Sequence, residues 1–276
     1  TARDSIVYDF NRQSLEGRVR QFCDDYNAET ARYQQRGRPA DLDTFVNYEQ
    51  IQWSSTLKNH LRSGAYAEFD RAKIRTSLYR PFTRMSLCYD SVLNDRPAHF
   101  QQIFPNVASE AVNRIICVPS AGSKQIAFFM TCLIPDLNFF TGSTPIQCFP
   151  LYIYSENGIN RQENITDWAL TQFQTHYKDT GISKQDIFHY IYAILHHPQY
   201  REKYAANLKR ELPRIPFAPD FWTFAKAGKE LADLHVNYER QSEYPLTWLE
   251  NKDARVSYHV EKMRLSKDKI QILYND

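Results

Sequence analysis

The chain has no Pro-Pro dipeptide, no G-x-G-x-x-G spacing among its eight glycines and no C-x-x-C pair among its five cysteines. The first absence removes the Pro-Pro-aromatic loop that an adenine methyltransferase uses to hold a flipped base. The second removes the glycine turn that seats a dinucleotide or S-adenosylmethionine. Gly122-Ser123-Lys124 is a superficial phosphate loop, without the upstream glycine and the Lys-Ser/Thr pair that cradle phosphate and magnesium. Cys23, Cys88, Cys117, Cys132 and Cys148 are scattered among apolar neighbours, which predicts reduced, buried thiols rather than disulfides or a zinc site. No apolar run approaches the roughly 20 residues of a membrane span, there is no signal-peptide pattern, and mean hydropathy is -0.59. Together these absences point to the cytoplasm. An excess of either charge is missing too, with Lys+Arg 34 against Asp+Glu 32.

Charge distribution says more than its sum. Between Lys58 and Arg84 stand seven cations, Lys58, Arg62, Arg71, Lys73, Arg75, Arg80 and Arg84, against Glu68 and Asp70 only. The rest of the chain is therefore net negative. With 276 residues there is enough chain for a sizeable core. Leu15, Val19, Phe22, Cys23 and Tyr26 recur at helical spacing and predict a helix from about Ser14 to Gln34, broken by Arg36-Gly37-Arg38-Pro39. Shorter helices are expected at Phe45 to Arg62 and Phe69 to Ile74. From Met85 to Tyr154, β-branched and aromatic runs alternate with Pro, Gly and Asn, predicting strands at Ser86–Tyr89, Arg114–Val118, Ile126–Leu133 and Cys148–Tyr154.

The clearest local signals lie further on. Ser183 and Asp186 have capping-box spacing ahead of an apolar stripe of Ile187, Tyr190, Ile191, Ile194 and Leu195. Pro198 ends that helix and opens another, striped by Tyr200, Tyr204, Leu208 and Leu212 and stopped by Pro213 and Pro216. Asp220 to His235 predicts a third helix through Phe221, Phe224, Leu231 and Leu234, and strand-like runs return at Val256–Val260 and Ile270–Tyr274. The expected fold is α/β of the α+β kind: a mixed or mostly antiparallel central sheet, an N-terminal helical connector (1–62), a recognition body (63–180) and a helical C-terminal lobe with terminal strands (181–276).

The string from Asp186 to Phe217, with VYDFNR at Val7, FCDDYNAE at Phe22, SLYRPF at Ser77, QCFPLYIY at Gln147 and AGKELADLHVNYE at Ala227, resembles the C-terminal specificity region of Type ISP restriction-modification enzymes. These blocks run in the family's order over nearly the whole chain. The resemblance implies a target recognition domain for duplex DNA. It also implies a longer polypeptide whose nuclease, helicase-like motor and adenine-specific DNA methyltransferase use S-adenosylmethionine, ATP and magnesium in a bacterial or archaeal cytoplasm. The abrupt start, TARDSIVYDF, and a family pattern that continues beyond the last residues fit a fragment of such a chain.

Base edges offer donors, acceptors and a methyl group, so readers use uncharged or basic hydrogen-bonding side chains on loops held by a rigid scaffold. Two interstrand loops supply them: Pro119 to Gln125 with Ser120, Ser123, Lys124 and Gln125, and Pro135 to Gln147 with Asn138, Thr141, Ser143, Thr144 and Gln147. Phe139-Phe140 either wedges against bases or pins its loop. Lys58, Arg62, Arg71, Lys73 and Arg75 are candidates for a phosphate track, and Arg80 either joins it or braces the domain against a carboxylate. Catalytic and metal-binding residues are not expected. A stand-alone nuclease using Asp220 with Glu250-Asn251-Lys252, metal binding by His196-His197, and an interdomain coupler without base contacts are the alternatives.

Overall fold

The computed structural model describes residues 3–95, 99–123, 126–141, 143–155, 158–249 and 263–273. It is an α+β fold, with residues 1–239 forming one compact unit and residues 240–276 a second. The boundaries expected near 62 and 180 fall inside the first unit.

The first unit opens with α1 (Asp4–Val7), β1 (Tyr8–Asp9) and α2 (Arg12–Gln35). Asn11 caps α2 by accepting from Ser14 N, and the expected stripe of Leu15, Val19, Phe22, Cys23 and Tyr26 is buried. α3 (Leu42–Phe45) and α4 (Ser55–Ser63) follow, α4 ending on Gly64 in the left-handed conformation. The helix expected from Phe45 therefore begins only at Ser55, because Ser54 is its N-cap. The helix expected at 69–74 shrinks to a 3-10 turn, Arg71–Lys73. From Ile74 the chain is instead strand, β2 (Ile74–Arg80), which pairs antiparallel with β3 (Thr83–Cys88). Ile74, Thr76 and Tyr79 suit a pleated surface, and Pro81 bounds the strand.

α5 (Phe100–Ile103) and α6 (Val107–Val112) lead to β4 (Ile115–Pro119), β5 (Phe129–Thr131), β6 (Ile134–Pro135), β7 (Ile146–Pro150), β8 (Tyr152–Tyr154) and β9 (Arg161–Glu163). These strands do not make one central sheet. β6 joins the first sheet, in the order β1-β3-β2-β6, while β5-β4-β7 is a separate antiparallel sheet and β8-β9 a hairpin. β4 is buried on both faces. Ile115 and Cys117 belong to one core with α2 and the first sheet, and Ile116 and Val118 belong to a second core with the later helices. The three-stranded sheet is thus the wall between two cores.

The second core is built by α7 (Asp167–Tyr177), α8 (Lys184–His196), α9 (Pro198–Lys203), α10 (Ala205–Leu208) and α11 (Phe221–Val236). The capping box of α8 is present, with Ser183 Oγ accepting from Asp186 N at 3.2 Å and Ser183 N donating to the Asp186 carboxylate at 3.0 Å. The helix expected after Pro198 is interrupted at Tyr204, and α8 packs mainly on α11. His235 of α11 stacks on Phe129 at 4.7 Å and shares a hydrogen bond with the Tyr192 hydroxyl through Nδ1. Burial, and then the neighbouring His196, push its pKa down to about 4. In the unfolded chain His235 takes up a proton near pH 6.5, so the unfolded state binds more protons between these values. Stability from neutral His235 is therefore present above about pH 6.5 and is lost as pH falls through about 4. Thermal unfolding across that range should show Tm falling with acid, and the fall should be shallower in His235→Phe.

In the second unit β10 (Arg264–Leu265) pairs antiparallel with β11 (Ile272–Leu273). The strand expected at Val256–Val260 lies outside the described residues. No helix among the described residues is long and apolar enough to cross a membrane.

Candidate nucleic-acid interface

The register of β4 and β7 brings the two candidate loops together. Pro119 lies opposite Ile146, so the loop leaving β4 and the loop entering β7 emerge at the same end of the sheet. Ser120 N donates to Pro145 O at 3.1 Å and ties them there. The second loop is held from beneath. Asp136 N donates to Leu78 O at 3.2 Å, and the Asp136 carboxylate accepts from Asn138 N at 3.0 Å and from Arg80 Nη1 at 2.6 Å.

Phe139 is fully buried, packed on Phe129 and Phe140 at 5.5 and 5.0 Å. The reading of it as an exposed wedge is therefore corrected: the ring anchors its loop, because burying an aromatic ring outweighs leaving it in water. Ser123 is buried as well, with its N–H bonded to Ser120 O, and it does not sit on the rim. Thr141 is exposed, but its Oγ1 accepts from Thr144 N at 2.8 Å and Ser143 N at 3.3 Å, so that oxygen shapes the turn. Ser120, Asn138, Ser143, Thr144 and Gln147 carry side chains with no hydrogen-bond partner among the described residues, and Ser143 and Gln147 are exposed. Lys124 and Gln125 lie outside the described residues.

The basic run is mostly neutralised. Lys58 pairs with Asp43, Arg71 with Glu16 at 2.6 Å, Lys73 with Asp90 at 2.7 Å and Arg84 with Glu239 at 2.7 Å. The Asp43 carboxyl is held below its ordinary range by hydrogen bonding to Lys58, and that of Glu16 by hydrogen bonding to Arg71. Arg75 is buried, with its Nε on Glu110 at 2.6 Å, Nη1 on Phe104 O at 2.9 Å and Nη2 on Asn106 O at 3.1 Å. It cannot reach a phosphate without leaving the core. Arg80 braces the second loop through Asp136 and lies over the Tyr79 ring at 4.0 Å. Arg62 is exposed, and among the described residues it is bonded only to Asn59 within its own helix. The missed signal was β2 itself: read as a strand, Ile74 to Arg80 becomes part of the packed sheet, and Arg75 needs a buried partner.

Of the residues considered for bond-breaking, Asp220 has another role. Asp220 is the N-cap of α11, accepting from Thr223 N at 3.1 Å and Thr223 Oγ1 at 2.6 Å. Glu250, Asn251 and Lys252 lie outside the described residues. The two ring nitrogens of His196 face the carbonyl oxygens of Tyr192 and Phe128 at 2.9 and 3.2 Å. Among the described residues no group of three or more His, Cys, Asp or Glu could hold a metal ion. Cys23, Cys88, Cys117, Cys132 and Cys148 are free, and burial raises the thiols of Cys23 and Cys88 to about 11 and about 12.

Residues 1–276 match the family described as the Type ISP C-terminal specificity domain. Among solved structures, a cryoEM structure of a DrdV–DNA complex is similar at 35% identity over 95% of this chain, with a TM-score of 0.79. A nuclease-deletion mutant of the Type ISP restriction-modification enzyme LlaGI in complex with a DNA substrate mimic is similar at 27% identity over 99% of this chain, with a TM-score of 0.77. The ATP-dependent Type ISP restriction-modification enzyme LlaBIII bound to DNA is similar at 25% identity over 99%, with a TM-score of 0.78. The chain spans 25%, 25% and 18% of those three chains, respectively. No curated protein sequence matches it.

Proposed function

The chain belongs to the family of Type ISP C-terminal specificity domains, and we propose that it reads the target sequence of duplex DNA for a restriction-modification enzyme, binding without making or breaking bonds. The observation that carries this is the rim at one end of β4 and β7. Two loops are tied together there on a rigid sheet, and Ser120, Asn138, Ser143, Thr144 and Gln147 present uncharged donors and acceptors that the described residues leave unpaired. Such groups match base edges, whereas phosphate contacts position a protein without reading sequence. The three solved relatives are complexes with DNA, which supports the same reading.

On this proposal recognition by the chain directs adenine methylation and licenses motor and nuclease activity in other parts of the enzyme. S-adenosylmethionine, ATP and magnesium would act there. In support of placing them there, no metal-holding group occurs among the described residues, and the eight glycines lack the spacing of a nucleotide loop.

Exchanging residues 120–125 and 140–145 for those of a relative with a different target should change the methylated sequence, while leaving Phe139 and the strands in place. An unchanged sequence would favour an interdomain coupler. Gln147 is exposed, so Gln147→Ala should move stability by no more than about 0.5 kcal/mol. It should weaken cognate binding by about 1–3 kcal/mol and leave random-sequence binding unaltered. Equal losses on both duplexes, measured by fluorescence anisotropy, would make Gln147 a backbone anchor.

A further inference from the structure

We propose that Lys209 and Arg210, just beyond α10, are the phosphate anchors that set the first recognition loop against the duplex. The proposal rests on the DNA-reading function above, but on a different part of the fold. The α9–α10 segment clasps the loop at two points: Gly122 N donates to Lys209 O at 2.8 Å, and Arg201 Nη2 donates to Ile126 O at 2.8 Å. The backbone of Lys209 therefore touches the loop whose Ser120 is tied to the second loop.

Both side chains are exposed, and neither has an ion pair or hydrogen bond among the described residues. The adjacent carboxylate does not neutralise them, because Glu211 accepts from Arg214 at 3.0 Å and Asn207 at 3.3 Å. The contrast with six of the seven cations from Lys58 to Arg84, all but Arg62, supports the assignment. An incoming phosphate must displace a carboxylate from Lys58, Arg71, Lys73, Arg75, Arg80 or Arg84. At Lys209 and Arg210 no carboxylate among the described residues stands in its way. The uncharged rim cannot neutralise backbone charge itself, and a duplex seated on it brings phosphates past the neighbouring cations. Counterion release then makes affinity steeply dependent on salt.

The test measures binding of the 276-residue chain to a short random-sequence duplex across about 50–200 mM salt. Lys209→Gln with Arg210→Gln should make the slope of log K against log salt shallower by about 1 per residue. The loss of affinity over that range then shrinks by roughly 15-fold. The charge-conserving pair Lys209→Arg and Arg210→Lys should keep the wild-type slope. A wild-type chain whose binding ignores salt would overturn the DNA-reading function itself. A steep wild-type slope retained by the double variant, or an equal reduction in Arg71→Gln, would overturn this assignment alone.

Discussion

Gly228→Ala is expected to lower the stability of the chain by about 3 kcal/mol, the upper end of the usual overpacking cost, read as a fall in Tm of roughly 6–12 °C. A Cβ at Gly228 would stand 1.9 Å from His189 O and 2.7 Å from the His189 carbonyl carbon. Those are backbone atoms of α8, so no side-chain rotation relieves the clash and the two helices must separate. Separation would also withdraw His235 from Phe129 and loosen the second core behind β4. Gly17 provides the control. It is a helix-interior glycine in α2 with nothing within 4 Å of an added Cβ, so Gly17→Ala should stabilise by about 0.4–1 kcal/mol. Opposite signs for one chemical change would show that helix contact, not propensity, explains Gly228. An unchanged Tm in Gly228→Ala would defeat the packing argument.

Arg75→Met should cost about 3–5 kcal/mol, measured by urea unfolding at neutral pH. The substitution strips Glu110 of its ion pair and the carbonyls of Phe104 and Asn106 of their donors. Burial already raises the Glu110 pKa and Arg75 opposes that rise. Without Arg75 the carboxyl should protonate at still higher pH. A raised folded-state pKa contributes stability that is present below the unfolded value and is lost as pH rises through the folded value. The deficit of Arg75→Met should therefore be smallest in mild acid and grow toward neutrality. Adding Glu110→Met should recover most of the loss, because a buried apolar pair needs no counter-charge. A neutral single substitution would mean that Glu110 finds water or another donor. Because Arg75 is buried, its removal should leave the salt slope of DNA binding unchanged in the folded protein, separating it from Lys209 and Arg210.

Gly228 and Arg75 show how the two kinds of information divide. The stripe of Phe221, Phe224, Leu231 and Leu234 announces a helix, and Asp220 announces its start, but nothing local reveals that Gly228 meets a carbonyl of another helix. Arg75, with Lys58, Arg71, Lys73 and Arg80, reads in sequence as part of a basic run. Its partners decide otherwise.

What the sequence determined by itself were features set by neighbours along the chain: the Ser183–Asp186 capping box, the buried stripe of α2 and the Asp220 cap. Helical periodicity and capping involve residues a few positions apart, so the pattern is the cause. Tertiary structure alone decided which cations are neutralised, because Asp43, Glu16, Asp90, Glu110 and Asp136 lie 15, 55, 17, 35 and 56 residues from their partners. It also turned Phe139 inward, joined the two loops through the register of β4 with β7, and set Lys209 beside Gly122. Long-range pairing depends on how strands cross and cores close, and those relations are not encoded in any single stretch of residues.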